Sequence, residues 1–431
     1  MKRFFACLTA TLMTSGAWAV GSGGHTNQVV GTKALSMGNA FSAVADDATA
    51  LFFNPAGLAG LAGQSISLGV GPTYSKTTYH SGTAAAESTN NDTALVPNAY
   101  YSQRLNEKMG IGVGLFSPFG LETHWSPNGQ LRYVATDSRL HIGQLAAGVG
   151  YQATPWLSFG AAGLYTQVRA RLQSQMNLTA LNTFLNGGTP VPSADGKKTL
   201  EGDGGAFGYG AGVLVGKAET FRLGISYRSS VHNDVEGDTT FEDLNNQSQG
   251  LFGGTTYRTG TKTRIVLPDS LTIGVAGRPT PKLLLSADAE LVGYHRVNET
   301  AFTFDETNST RTFVLNSGNP INRSWGDTWN VGFGASYKLN DHIEPRLGFF
   351  HYQQAIPNAT WDPSTPESKR DGITAGFGYM TGPVQLDFAY NLLLVRDRTI
   401  NNDVGATSLS TVDGKYTSTG HVFGVNITYS W

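Results

Sequence analysis

The sequence predicts an all-β membrane protein: a 14-stranded antiparallel outer-membrane β-barrel with a small N-terminal helical hatch inside the lumen. Three observations lead there. The composition is rich in glycine and aromatics but poor in charge. Period-two apolar alternation recurs to the last residue, and the connections alternate between short and long.

Only 14% of the 431 residues are charged, against 54 glycines, 22 phenylalanines, 17 tyrosines and 7 tryptophans. No run of eighteen or more apolar residues occurs, so a membrane-spanning helix is excluded. Crossing by strands remains, because a barrel needs only alternate residues to be apolar. At the N-terminus, Lys2 and Arg3 precede a largely apolar stretch over 4–13, and Ala17-Trp18-Ala19 is a small-x-small cleavage signal. Residues 1–19 therefore read as a secretory signal peptide, with the mature chain starting near Val20. The single cysteine, Cys7, falls inside the leader, which leaves no thiol or disulfide in the mature protein. Without Lys2 and Arg3 there are 28 basic residues (30 less 2) against 32 acidic ones, a formal charge of −4. No basic surplus for nucleic acid exists.

Alternation is clearest at the C-terminus. Phe423, Val425, Ile427, Tyr429 and Trp431 interleave with Gly424, Asn426, Thr428 and Ser430. Such a strand puts one face in lipid and the other in a polar lumen. Residues 328–339 repeat the pattern through Trp329, Val331, Phe333, Ala335, Tyr337 and Leu339. A terminal strand ending on an aromatic, here Trp431, resembles the signal read by the barrel assembly machinery. Segments of this kind number fourteen. Short turns fall around Asn106-Glu107, Thr154-Pro155, Ala218-Glu219, Thr280, Asn340-Asp341 and Gly382. Long polar loops span 76–92, 125–138, 173–204, 234–261, 298–326, 354–369 and 397–417. Both chain ends then lie on the short-turn, periplasmic side. The barrel proper covers 63–431.

Residues 20–62 do not alternate. Within 34–61, Leu35, Phe41, Val44, Ala45, Ala48, Leu51 and Phe52 recur at helical spacing, Asp47 can cap a helix and Asn54-Pro55 can stop it. A fourteen-strand barrel is too wide to fill with its own side chains, and this segment is the available plug. Asp46 and Asp47 can tether it to lumen-facing Arg222 or Arg346, or serve as a cap and a solvated charge.

In the strand over 109–124, Ser117-Pro118-Phe119-Gly120 interrupts the alternation of Met109, Ile111, Val113 and Leu115. Proline cannot donate to the ladder, and an unpaired backbone group is costly in lipid. The break is either a lateral opening or an ordinary bulge near the rim.

Gly38-Asn39-Ala40, Ala45-Asp46-Asp47-Ala48 with Asn54-Pro55-Ala56, Leu267-Pro268-Asp269-Ser270 and Asp327-Thr328-Trp329 with Gly334, together with the interrupted strand, resemble segments of the FadL/TodX (OmpP1) family. That family comprises outer-membrane transporters for long-chain fatty acids and other hydrophobic compounds. The resemblance covers essentially the whole mature chain. It implies a hatch held by the Asn54-Pro55-Ala56 turn, an external hydrophobic groove, a lumen pocket and exit into the membrane at the kinked strand. It also implies an arginine clamp for the ligand carboxylate, with Arg169 the better match and Arg171 the alternative. The alternative for both is a rim position facing lipopolysaccharide. This chain has Gly326 where a lysine often precedes the aspartate, and Arg323 can replace it. Its mature start at 20–24 is small where fatty-acid members carry an aromatic residue.

In the loop over 173–204, Leu178, Leu181, Phe184 and Leu185 recur at helical spacing. They predict a short amphipathic helix over 176–185, as a landing site for lipid or a face packed on the next loop. No histidine cluster has metal-ligand spacing, no cofactor is implied, and Ser117 with His141 lacks a third catalytic partner. The leading reading is facilitated uptake of long-chain fatty acids. The same fold serving uncharged compounds such as aromatic hydrocarbons comes next, favoured if Arg169 faces lipid. A surface enzyme or adhesion protein is the remaining reading.

Overall fold

The computed structural model describes residues 29–431 apart from Thr83 and Asp92. The expected leader and the start at 20–24 lie outside the described residues. The first seven wall strands are β1 (Gln64–His80), β2 (Ala94–Arg104), β3 (Met109–Phe116 and Gly120–His124), β4 (Asp137–Thr154), β5 (Leu157–Met176), β6 (Gly196–Gly216) and β7 (Phe221–Arg228 and Val231–Glu242). The second seven are β8 (Tyr257–Leu267 and Ser270–Thr280), β9 (Leu283–Val292), β10 (Thr328–Tyr337), β11 (Ile343–Tyr352), β12 (Arg370–Thr381), β13 (Val384–Val395) and β14 (Gly414–Ser430). Each pairs antiparallel with its chain neighbours. β14 returns to β1 from Ser65↔Ser430 to His80↔Lys415, which closes a fourteen-strand barrel.

The period-two pattern becomes two faces. On β14, Phe423, Val425, Ile427 and Tyr429 are 41–48% exposed on the outer surface, while Asn426 between them is 7% exposed and faces inward. Closure leaves no edge, so every strand can satisfy its backbone within the wall.

The N-terminal segment lies inside this wall. It does not form one long helix. It contains α1 (Thr32–Ser36), α2 (Ala50–Phe53) and a 3₁₀ turn at Pro55–Gly60. Left-handed backbone at Gly38, Asn39 and Ala45 breaks the helical run between them. The apolar residues read as one helical stripe instead point several ways into the wall: Leu35 joins Val96, Phe350 and Leu393, whereas Leu51 and Leu58 join Tyr100, Phe116 and Leu164.

Much of the glycine content is explained by this packing. A Cβ on Gly160 would lie 2.2 Å from the Ala56 amide nitrogen, and one on Gly348 would lie 2.2 Å from the Gly38 nitrogen. The segment rests on the wall's backbone, and a lumen lined with larger residues would expel it. Replacing Gly160 by Val is expected to displace the segment while the barrel still folds. Single-channel conductance in planar bilayers should rise, whereas unchanged conductance would contradict the seal.

Candidate functional site

The wall is interrupted at the strand that the sequence singled out. Phe116 of β3 opposes Gln144 of β4, so an unbroken ladder would set Gly120 opposite Leu140; it stands opposite His141 instead. One extra residue therefore sits in β3 between Phe116 and Gly120, and it reverses which face each later side chain occupies. Gly112 and Phe116 point inward below the break, Leu121 and Thr123 above it. The β2–β3 ladder stops at the same level. It runs from Arg104↔Gly110 to Ala99↔Leu115, and among the described residues no ladder joins 94–98 to Gly120–His124. At the top the seam closes again, where the His124 N–H donates to Asn91 Oδ1 and the Asn90 N–H to the His124 carbonyl, both at 2.9 Å. The flanking residues include Pro97 and Pro118, neither with an N–H to leave unsatisfied. Ser117 Oγ donates to the carbonyls of Ile142 (2.6 Å) and Phe119 (3.2 Å), which holds the bulge against β4.

Below the gap, four elements meet in one aromatic cluster. Phe116 stacks on Tyr100 of β2 (5.6 Å) and takes the edge of Phe52 from α2 (5.3 Å). The Arg228 guanidinium from β7 lies 4.0 Å from the Phe52 ring centroid and 5.8 Å from that of Phe116. Arg228 also donates to the Phe52 carbonyl (3.3 Å) and to Gln144 Oε1 (2.7 Å). The N-terminal segment and the kinked strand are thus in direct contact.

Behind the gap, the inward faces of five strands form an apolar patch that includes Leu121, Leu140, Ile142, Val168, Ala170, Val231, Val235 and Leu267. Two small cavities meet at Leu121. One, of about 80 Å³, runs along Leu140, Ala170, Leu172 and Ile265 to Arg323 and Trp325. The other, of about 40 Å³, reaches Thr123, Glu367, Arg370 and Leu393. The external loops, through buried Trp125, Tyr294, Trp325 and Trp361, and the outer ends of β1 and β14, through Tyr79 and Tyr416, roof them. Within that roof, burial pushes the Glu367 carboxyl above its usual range, opposed by the N–H of Ala355 and the Arg398 guanidinium. Deeper in the lumen, a third cavity of about 80 Å³ is lined by Phe52, Phe53 and Tyr352 together with Arg228, Asp288 and Glu290.

The expected site residues are distributed differently from the sequence reading. Arg169 is exposed on the outer face, because Thr166, Val168 and Ala170 point inward on β5. Arg171 shares the outer face and bridges Asp137 (3.3 Å) and Glu201 (2.5 Å). Both belong to an outward charged collar that includes Glu122, Arg139, Glu236, Asp238 and Lys262, above the apolar band of the wall. Neither arginine enters the lumen, so the expected clamp at Arg169 or Arg171 is corrected. Parity counted upward from lipid-facing Phe159 carries the signal that places them. Arg323 is in the lumen, held by Asp362 (2.6 Å) and Thr300 Oγ1 (3.3 Å).

The Asp46 expectation is also corrected. Asp46 pairs with Lys33 within the segment at 2.8 Å, and Arg346 pairs with Asp387 (2.6 Å) and Glu344 (2.9 Å). Arg222 donates to the Ala43 carbonyl. Asp47 accepts from the Thr49 N–H (2.8 Å), a local turn ahead of α2. The stronger tether is Asn54, fully buried. Its Nδ2 donates to the carbonyls of Ser42 (2.9 Å) and Val213 (3.1 Å), while its Oδ1 accepts from the Ala56 N–H (3.1 Å). Pro55 and Ala56 are buried beside it.

The expected loop helix is α3 (Leu178–Leu185). It packs with α4 (Asn246–Phe252) and α5 (Ser309–Leu315) through Leu178, Leu181, Phe252 and Leu315. Phe184 (57% exposed) stacks on Phe313 (63% exposed) at 5.7 Å, leaving an apolar pair on the outside. Leu185 is half-buried.

A closed barrel with an apolar outer band, an occupied lumen and a roofed mouth defines an outer-membrane transport protein rather than an open pore. Residues 10–431 match the family described as outer membrane protein transport protein (OMPP1/FadL/TodX). The chain belongs to that family, whose members carry hydrophobic compounds across the bacterial outer membrane. It is similar to a long-chain fatty acid transport protein of Escherichia coli O6:H1, 24% identical over 86% of each chain. Among solved structures it resembles a Pseudomonas aeruginosa FadL homologue (TM-score 0.82, 20% identity, 94% of this chain and 99% of that one). It also resembles the Ralstonia pickettii toluene transporter TbuX (TM-score 0.69, 19% identity, 93% and 98%).

Asn54→Ala removes the buried tether at a cost of about 1–3 kcal/mol. Hydrogen exchange across Ala50–Phe53 and Pro55–Gly60 is expected to accelerate while the wall strands stay protected. Equal protection in the variant would rule out Asn54 as the tether.

Proposed function

We propose that this protein takes up long-chain fatty acids and releases them sideways through the β2–β3 gap, with the N-terminal segment acting as a hatch that stays in the lumen. The single observation that carries this reading is the coincidence of three features at one level of the wall: the extra residue in β3, the end of the β2–β3 ladder and the apolar patch behind it. The gap lies between the last apolar outward residue of the lower β3 segment, Leu115, and the first charged one above it, Glu122. A ligand leaving there meets the edge of the hydrocarbon layer without crossing the hatch. The exposed Phe184–Phe313 pair and the α3–α5 cluster serve as the landing surface for a ligand arriving from outside.

Uptake of uncharged hydrocarbons is the second reading. It is favoured by the outward placement of Arg169, which removes the expected carboxylate clamp, and by the likeness to a protein named as a toluene transporter.

Deleting Pro118 removes the extra residue while every β3–β4 pair keeps its partner. The straightened β3 can then zip against 94–98 of β2. The variant is expected to fold and to migrate as a heat-modifiable barrel, yet to lose uptake of radiolabelled oleate by whole cells. Uptake at the wild-type rate would exclude the lateral route.

A further inference from the structure

The outer surface of the wall carries a groove of about 630 Å³ between β7 and β11, against about 80 Å³ for either of the larger lumen cavities. Its size falls within the range of about 300–1,000 Å³ usual for small-molecule sites. Cross-strand pairing makes its floor. In one row Phe221 stands opposite Gly277, Gly277 opposite Leu285, Leu285 opposite Ala335 and Ala335 opposite Leu347. In the next row Val275 stands opposite Ala287, Ala287 opposite Phe333 and Phe333 opposite Phe349. Gly277, Ala287 and Ala335 are the low points. Around them rise Phe221, Val275, Phe333 and Phe349, each 38–57% exposed.

The outward side chains of this groove are hydrocarbon throughout. An acyl chain laid in it is touched from several sides, whereas one lying on a convex wall is touched from one. The groove opens toward the periplasmic end of the strands, where Pro279 lines it and Arg278 and Lys282 stand close to Pro279 in the chain. Tyr337, the outward residue next below Ala335, is 43% exposed and marks the aromatic girdle, so Lys338 lies at headgroup level.

Charge at that end decides the headgroup. The three short turns below the groove carry Lys217, Arg278, Lys282 and Lys338 against Glu219 and Asp341. The Lys338 N–H donates to the Lys282 carbonyl at 2.7 Å, which brings these two lysines together, both exposed. Asp341 reaches Lys338 at 3.0 Å and leaves Lys282 for another anion. A second copy of the chain is a poorer occupant. Two barrels related by an axis along the membrane normal would set this patch against itself, lysines facing lysines.

We infer that the groove binds an anionic phospholipid of the periplasmic leaflet, one acyl chain lying over Gly277, Ala287 and Ala335 and the phosphate lying against Lys282 and Lys338. On the inner side of the same strip, a Cβ on Gly334 would lie 2.6 Å from the Met37 carbonyl oxygen, and one on Gly348 would lie 2.2 Å from the Gly38 nitrogen. One layer of backbone therefore separates the lipid from the N-terminal segment, and the lipid braces the wall where that segment rests.

The test is native mass spectrometry of the detergent-extracted full-length barrel with phosphatidylglycerol and with phosphatidylcholine of the same acyl chains. The variants are Lys282→Gln with Lys338→Gln, and Ala287→Leu with Ala335→Leu, which fills the groove with residues that lipid tolerates. The wild type is expected to hold one phosphatidylglycerol in preference to phosphatidylcholine. Each basic residue near the surface contributes about 1 kcal/mol toward an anionic lipid, so removing both lysines should cut that preference at least about tenfold. The filled groove should lose both lipids. Equal retention of the two lipids by the wild type would overturn the headgroup assignment, and unchanged retention by the filled variant would overturn the groove. A wild-type dimer that the filled variant abolishes would give the groove to a second copy and overturn the lipid site.

Discussion

Backbone-on-backbone packing between the N-terminal segment and the lumen wall is the constraint on which the rest of this structure depends. A fourteen-strand wall encloses more space than its own side chains can fill, and an unfilled lumen would be a water channel. Here the wall yields its inward side chains. Gly110, Gly150, Gly160, Gly212 and Gly348 leave the strands bare where residues 38–59 press against them. Asn54 and Arg228 then attach the segment through main-chain carbonyls, which do not depend on matched charges. The segment can carry few charges because it is held by shape and by hydrogen bonds.

With the lumen filled, the exit proposed above lies in the wall, and the wall is broken at β3. The added residue is local, yet it has two effects. It ends the ladder to β2, and it turns Leu121 and Thr123 inward while Glu122 and His124 turn outward. The lumen above the break therefore becomes apolar where the outside becomes charged. β7 has an equivalent extra residue between Arg228 and Val231, and β8 breaks beside it at Pro268-Asp269. Above both breaks the strands rise out of the apolar band as a charged collar, with Arg169 and Arg171 on its outer side.

The barrel was legible because lipid imposes a period of two on every strand, and the loop lengths recorded which end faced outward. The break at Ser117-Pro118 was legible because proline and glycine have few reasons to interrupt a wall strand. The interior of the N-terminal segment was less so. Its apolar spacing matched a helix, but Gly38 and Asn39 turn the chain left-handed and send those residues to different walls. Side-chain direction was the larger loss. Arg169 resembles a family motif, although counting alternate positions from Phe159 puts it outside. The same counting from Ile373, Phe377 and Tyr379 puts Arg370 inside. Roof contacts such as Trp361 with Tyr416, far apart in sequence, leave no periodic trace.

The central claim is that ligand occupies the lumen beside the β2–β3 gap, above the N-terminal segment. A crystal structure with an ω-bromo fatty acid tests it most directly, because anomalous scattering locates the tail end without interpretation of weak density. The bromine is expected among Phe119, Leu121, Leu140 and Ile142, facing the gap. Bromine found only in the deeper cavity by Arg228 and Glu290, or only on the outer collar by Arg169, would contradict the account.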